Sequence, residues 1–101
     1  MLSGRNIVTK IVRTIPSKPG VYRMLDGDNN IIYIGKAKNL KKRVKSYSRK
    51  NIENKRIEKM VGLIHNIEFT TTENEENALL LEVNLIKLHK PKYNILMRDD
   101  K

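Results

Sequence analysis

Apolar residues recur along the chain with two different periods, and the switches between them mark out the elements. Ile7, Val8, Ile11, Val12 and Ile15 fall at helical spacing before Pro16 and Pro19 stop the pattern, which predicts a helix near 3–14. Val21 to Leu25 and Asn30 to Ile34 are rich in strand-forming residues and are separated by Asp26-Gly27-Asp28-Asn29, residues that favour turns. That pattern predicts a β-hairpin. A four-residue turn centred between Gly27 and Asp28 pairs Leu25 with Asn30 and sets Tyr22 directly opposite Tyr33, with Cβ atoms about 5 Å apart. After Gly35, Leu40, Val44 and Tyr47 return to helical spacing, with Asn39 available as N-cap. A helix near 53–64 buries Ile57, Met60, Val61 and Ile64, and a strand follows with Ile67, Phe69 and Thr71 on one side. Thr72 and Glu75 form a T-x-x-E capping box that opens a long helix near 73–90, stopped by Pro91.

The order α-β-β-α-α-β-α implies an α+β fold, a small three-stranded, largely antiparallel sheet flanked by helices. At 101 residues the chain suits one domain, 1–101, that buries roughly two thirds of its unfolded surface in a single core. It contains no internal repeat, low-complexity stretch or linker. It closes on Arg98-Asp99-Asp100-Lys101, and it reads as the N-terminal fragment of a longer protein.

Composition narrows the chemistry. No cysteine is present, which excludes disulfides, a thiol nucleophile and a zinc ribbon. The two histidines, His65 and His89, cannot build a zinc site alone. No apolar run approaches the roughly 20 residues of a membrane span, and no signal-peptide core is evident, so a soluble, cytoplasmic and monomeric domain is expected. The 21 Lys and Arg against 11 Asp and Glu leave a net charge of +10. Lys36, Lys38, Lys41, Lys42, Arg43, Lys45, Arg49 and Lys50 crowd one acid-free stretch. Such a field attracts a nucleic-acid backbone; a solvated helix face is the plainer alternative.

Glu82 is the residue most at odds with its surroundings. Ala78, Leu79, Leu85 and Ile86 stand three or four residues to either side of it, so a carboxylate is centred on an apolar helix face. Burying it unpaired costs several kcal/mol, so it calls for a cation partner or a metal. A lone Glu suffices for Mg²⁺ or Mn²⁺, which keep several waters and take phosphate oxygens. Glu73, Glu75 and Glu76 are explained by capping and the helix dipole. The two hairpin tyrosines serve either as packing or as chemistry. An ordinary phenol, with pKa near 10, needs roughly 4 kcal/mol of help to act as a base at neutral pH. Gly35 is expected to turn the backbone tightly and let it approach a phosphate. Arg43 projects beside the apolar stripe of its helix, where a guanidinium can hold two phosphate oxygens or simply sit in an ion pair.

Gly20-Val21-Tyr22, then Tyr33-Ile34-Gly35 after a short hairpin, then Arg43 and a later helical Glu82, resemble the GIY-YIG nuclease family. Lys18-Pro19-Gly20-Val21-Tyr22-Arg23-Met24, Tyr33-Ile34-Gly35-Lys36-Ala37-Lys38-Asn39-Leu40, Leu80-Leu81-Glu82-Val83-Asn84-Leu85-Ile86 and Pro91-Lys92-Tyr93-Asn94 are similar to its UvrC branch across essentially the whole chain. The resemblance implies a hydrolytic cut of one strand of damaged double-stranded DNA, the 3′ incision of bacterial nucleotide excision repair, with one Mg²⁺ or Mn²⁺. It implies Glu82 as metal ligand and Tyr33 as general base or water-positioning phenol, with Tyr22 beside it. Arg43 would stabilise the phosphate, Lys36 would tune the phenol or contact DNA, and Asn94 would orient the site by hydrogen bonding. Lys36, Lys38, Lys41, Lys42, Lys45 and Arg49 are the expected DNA contacts. Tyr47 matches a recurring aromatic position, for which core packing is an equal explanation, and His89 receives no role. Whole members of that branch also carry a second nuclease domain, a segment that binds UvrB and further DNA-binding elements, so UvrB is an expected partner through parts outside this chain. A binding module without catalysis and a stand-alone nuclease of the same family are the competing readings.

Overall fold

The computed structural model describes residues 3–98, so Asp99, Asp100 and Lys101, cited above for a fragment, lie outside them. The elements are α1 (Gly4–Ile11, extended by a 3₁₀ turn at Val12–Thr14), β1 (Gly20–Leu25), β2 (Ile31–Ala37), α2 (Leu40–Lys45, followed by a 3₁₀ turn at Ser46–Ser48), α3 (Lys55–Leu63), β3 (Asn66–Thr71), α4 (Glu75–His89) and α5 (Lys92–Arg98). The predicted order holds, with α5 added. Asn39 caps α2 as expected, accepting from the Lys42 N–H. The capping box does not form: Asn74 caps α4 by accepting from the Asn77 N–H, while the Thr72 hydroxyl bonds the Asn74 carbonyl. Asn is as good an N-cap as Thr, and here it lies next to the acidic first turn of Glu75 and Glu76.

The three strands form an antiparallel sheet in the order β2-β1-β3. Side chains alternate between its faces. One face carries Tyr22, Met24 and Ile32 into the main core, against Val8, Leu40, Val44, Tyr47, Met60, Ile64 and Tyr93. The other presents Val21 and Ile34 to Ala78 of α4, in a smaller cluster completed by Leu81, Leu85 and Ile86.

The hairpin register differs from the expected one. Tyr22 pairs with Gly35 and Met24 with Tyr33, and the register shifts between Met24 and Leu25, which pairs with Ile31. The cause lies in the turn. One carboxylate oxygen of Asp26 accepts from the Asn30 and Asp28 N–H groups, each at 2.9 Å, and Asn29 takes a left-handed φ of 63°. This Asx-type loop closes at Asp26 and Asn30 rather than as a four-residue turn. Its N–H donors, that of Asn30 foremost, hold the Asp26 carboxyl below its ordinary range. The two tyrosines are therefore diagonal neighbours on one face, not a facing pair.

Gly35 stands opposite Tyr22 inside β2, with no positive φ, so it is not the tight turn expected. Its job is steric: a Cβ there would lie 2.4 Å from Cζ and Oη of the fully buried Tyr22. Gly35→Ala should therefore cost about 1–3 kcal/mol or abolish folding, because a packed core absorbs added volume poorly. Gly62, exposed in α3, has nothing within 4 Å of a built Cβ. Gly62→Ala should stabilise by about 0.5–1 kcal/mol through helix propensity. Urea unfolding of the two variants checks both signs.

Candidate active site

Three phenols and one guanidinium converge where the hairpin meets α2. The Tyr22 and Tyr47 hydroxyls share a buried hydrogen bond of 2.7 Å. The Tyr22 ring lies 6.2 Å from that of Tyr33 and 6.0 Å from that of Tyr47, both tilted. Arg43, one turn before Tyr47, donates from Nε to the Tyr22 hydroxyl at 3.4 Å, and its guanidinium carbon lies 5.7 Å from the Tyr47 ring centroid. The projection of Arg43 toward the apolar stripe, read from spacing, is what brings it here. Burial is the largest influence on both strand phenols. Burial, with the potential charge of Tyr47, raises Tyr22 well above its ordinary pKa, and it pushes Tyr33 up to about 12 despite the Arg43 charge. In return, the phenols hold the guanidinium protonated even more firmly than usual. With its pKa at about 12, roughly one Tyr33 in 10⁵ is ionised at neutral pH.

Glu82 reaches the site from the other side of β2. The strand is an edge, paired only with β1, so alternate residues present unpaired backbone groups outward. Asn94 answers two of them, accepting from the Ile34 N–H at 2.8 Å and donating to the Ile34 carbonyl at 2.8 Å. Glu82 answers the next outward donor, accepting from the Lys36 N–H through Oε2 at 2.9 Å. This is the partner for its carboxylate. No lysine or arginine among the described residues lies within ion-pair distance of it. The apolar face around it is rotated from the expected one: Ala78, Leu81, Leu85 and Ile86 face the sheet, whereas Leu79 is 45% exposed. α4 is apolar almost all round, so sequence spacing alone does not select its buried side.

Between these two groups opens a cavity of about 640 Å³ whose walls include Tyr22, Tyr33, Lys36, Arg43 and Glu82. Among the expected DNA contacts, Lys36, Lys38 and Lys42 line it; Lys41 and Lys45 do not. Arg49 lines an adjoining cleft that shares Arg43 and Ser46 with the cavity. Asn94 acts from outside the cavity, through Ile34. Tyr47, for which packing and function were equal, is bonded directly to a cavity phenol. Its apolar spacing concealed that contact, because the same periodicity serves a core residue. No cluster of three or more His, Cys, Asp or Glu exists among the described residues, and Glu82 is the one carboxylate among those that line the cavity. Glu82 fits a metal ion: one oxygen is engaged by a backbone donor, and the carboxylate borders an open cavity whose walls also carry Asn39, Ser46 and several cations, with room for the waters that a Mg²⁺-type site keeps.

Fold and site together define a compact hairpin-and-helix domain in which strand phenols, an arginine and a helix carboxylate share one cavity. The family described as the UvrC-like GIY-YIG domain matches residues 18–95, and the chain belongs to it. It is 59% identical over 87 residues to the UvrABC system protein C of Haemophilus ducreyi, covering 86% of this chain and 14% of that protein. The corresponding protein of Cronobacter sakazakii is 54% identical over 90 residues, covering 89% and 15%. The chain thus spans about one seventh of the length of these relatives. Among solved structures, the GIY-YIG N-terminal endonuclease domain of UvrC from Thermotoga maritima, bound to its catalytic magnesium, superposes with a TM-score of 0.76 at 36% identity, over 85% of this chain and 93% of that one.

The raised phenol values carry a pH prediction. The folded chain holds these protons more tightly than the unfolded chain, whose phenols titrate near 10. The resulting stability is complete below pH about 10 and is lost as the pH climbs through about 12. Phenolate absorbance should include a component with its midpoint near 12 that disappears in Tyr33→Phe. A Tyr33 midpoint at or below about 10 would mean that Arg43 outweighs burial.

Proposed function

We propose that residues 1–101 form one nuclease domain of a longer repair protein, that it hydrolyses a DNA phosphodiester with one Mg²⁺ or Mn²⁺ held by Glu82, and that its cut is the 3′ incision of nucleotide excision repair. The observation that carries this reading is the Glu82 carboxylate, held by the Lys36 N–H with no cationic partner among the described residues, at a cavity shared with Tyr22, Tyr33 and Arg43. The magnesium described for the Thermotoga domain supports it. When bound, a divalent ion supplies Lewis-acid polarisation of a phosphate oxygen and an acidified water.

The residues of the chain take the remaining roles. Lys36, Lys38 and Lys42 draw the phosphate backbone to the cavity wall. Arg43 stays charged beside its phenols and offsets the charge that develops on the phosphate. A water oxygen bonds to phosphorus while the bond from phosphorus to one sugar oxygen breaks, and that oxygen leaves with a proton. With its pKa near 12, Tyr33 is a water-positioning phenol rather than a base at neutral pH. Tyr22, fixed by Tyr47 and Arg43, holds its neighbour in place, and Asn94 fixes the strand that bears Tyr33. Partners are proposed as damaged double-stranded DNA and, through the rest of the protein, UvrB. Among the described residues no helix is long and apolar enough to cross a membrane.

Glu82→Gln preserves a side-chain oxygen for the Lys36 N–H and removes the charge. In a reconstituted repair assay, incision should fall by at least about a hundredfold, because metal charge stabilisation is worth several kcal/mol, while DNA affinity stays near that of the unsubstituted chain. Retained cutting would sink the proposal.

A further inference from the structure

A second cleft, of about 370 Å³, lies between the C-terminal end of α4 and α5, with Ile86 and Ile95 as its apolar residues and Lys87, Lys90 and Arg98 as its cations. None of these cations has an ion-pair partner among the described residues, and no carboxylate among those residues lines the cleft. Lys90 is unusual. It terminates α4 at φ 45°, a left-handed position that glycine adopts without penalty, yet it keeps a long cationic side chain there. The favourable helix dipole explains a cation at this end, but the backbone conformation works against any residue with a Cβ.

The cleft is tied to the candidate active site along two elements. Ile86 is one turn beyond Glu82 on the same face of α4, and Asn94, which also lines the cleft, grips Ile34 between Tyr33 and Gly35. At 1.5 Å per residue, Ile86 and Lys90 stand about 6 and about 12 Å along the helix from Glu82. One DNA strand advances about 3.4 Å per nucleotide, so this span corresponds to about two to four nucleotides.

We propose that this cleft is a second DNA-backbone site, which holds the cut strand about two to four nucleotides from the scissile phosphate. Lys87 and Lys90 take phosphate oxygens, Arg98 adds a third cation at the mouth, and Ile86 and Ile95 face the apolar side of the sugars. The inference rests on the nuclease reading but concerns residues that the reading does not use.

The test compares binding of a short fluorescent DNA duplex between about 50 and about 200 mM salt. It uses the 101-residue chain; the corresponding Thermotoga domain forms crystals by itself. Lys87→Gln combined with Lys90→Gly should flatten the plot of log affinity against log salt by about 0.9 for each lost phosphate contact. The melting temperature should not fall, since glycine suits the left-handed position. Lys10→Gln with Lys59→Gln removes the same charge from α1 and α3, on the opposite face of the sheet, and should leave the slope nearly unchanged. Equal slopes for the two double variants would overturn the inference alone. Absence of DNA binding by the unsubstituted chain would also overturn the inference, whereas the nuclease reading stands or falls on the Glu82→Gln incision assay.

Discussion

The outer edge of β2 is the constraint on which the site depends. An edge strand exposes a row of backbone donors and acceptors, and such groups must be satisfied or covered. Here two side chains replace the missing strand. Asn94 pairs with both backbone groups of Ile34, and Glu82 takes the N–H of Lys36 two residues further on. Each bond contributes about 1 kcal/mol to stability, but its larger effect is positional. The same contacts that close the edge fix the carboxylate beside the cavity and hold the strand that carries Tyr33. α5 exists to deliver Asn94, and Lys90 makes the reversal that lets α5 fold back along β2.

On the inner side of the hairpin, electrostatics and packing are in competition. Tyr22 is wholly buried, and its ring uses the space that Gly35 leaves open. Burial keeps both strand phenols protonated, whereas Arg43 pulls in the other direction and loses. The result is a neutral, hydrogen-bonded wall of phenols with the charged Arg43 guanidinium at its rim. Such a wall suits the orientation of water and phosphate more than proton abstraction by itself; on the proposed reading, acid–base help would come from the divalent ion held by Glu82.

Much of this was legible in the residues. Periodicity located α1 to α4 and all three strands, and the isolation of a carboxylate on an apolar helix singled out Glu82. Other features depended on information that spacing does not carry. The hairpin register turned on the side chain of Asp26 bonding its own loop, which moved Tyr22 from opposite Tyr33 to opposite Gly35. The partner of Glu82 is a backbone N–H, and no pattern of charged residues announces it. α5, whose inward apolar residues are Tyr93, Leu96 and Met97, is too short for its period to stand out. Tyr47 looked like a core residue because it is one, and its hydroxyl meets Tyr22 only in three dimensions.

On the proposed reading, the edge-held carboxylate of Glu82 anchors a divalent ion at the phenol cavity. Soaking crystals of the chain in Mn²⁺ and recording anomalous diffraction tests it most directly. A single strong peak is expected about 2.1 Å from a Glu82 carboxylate oxygen, with water ligands between the ion and Tyr33 and with the Lys36 N–H still bonded to Oε2. A peak elsewhere on the surface, with none at Glu82, would contradict it.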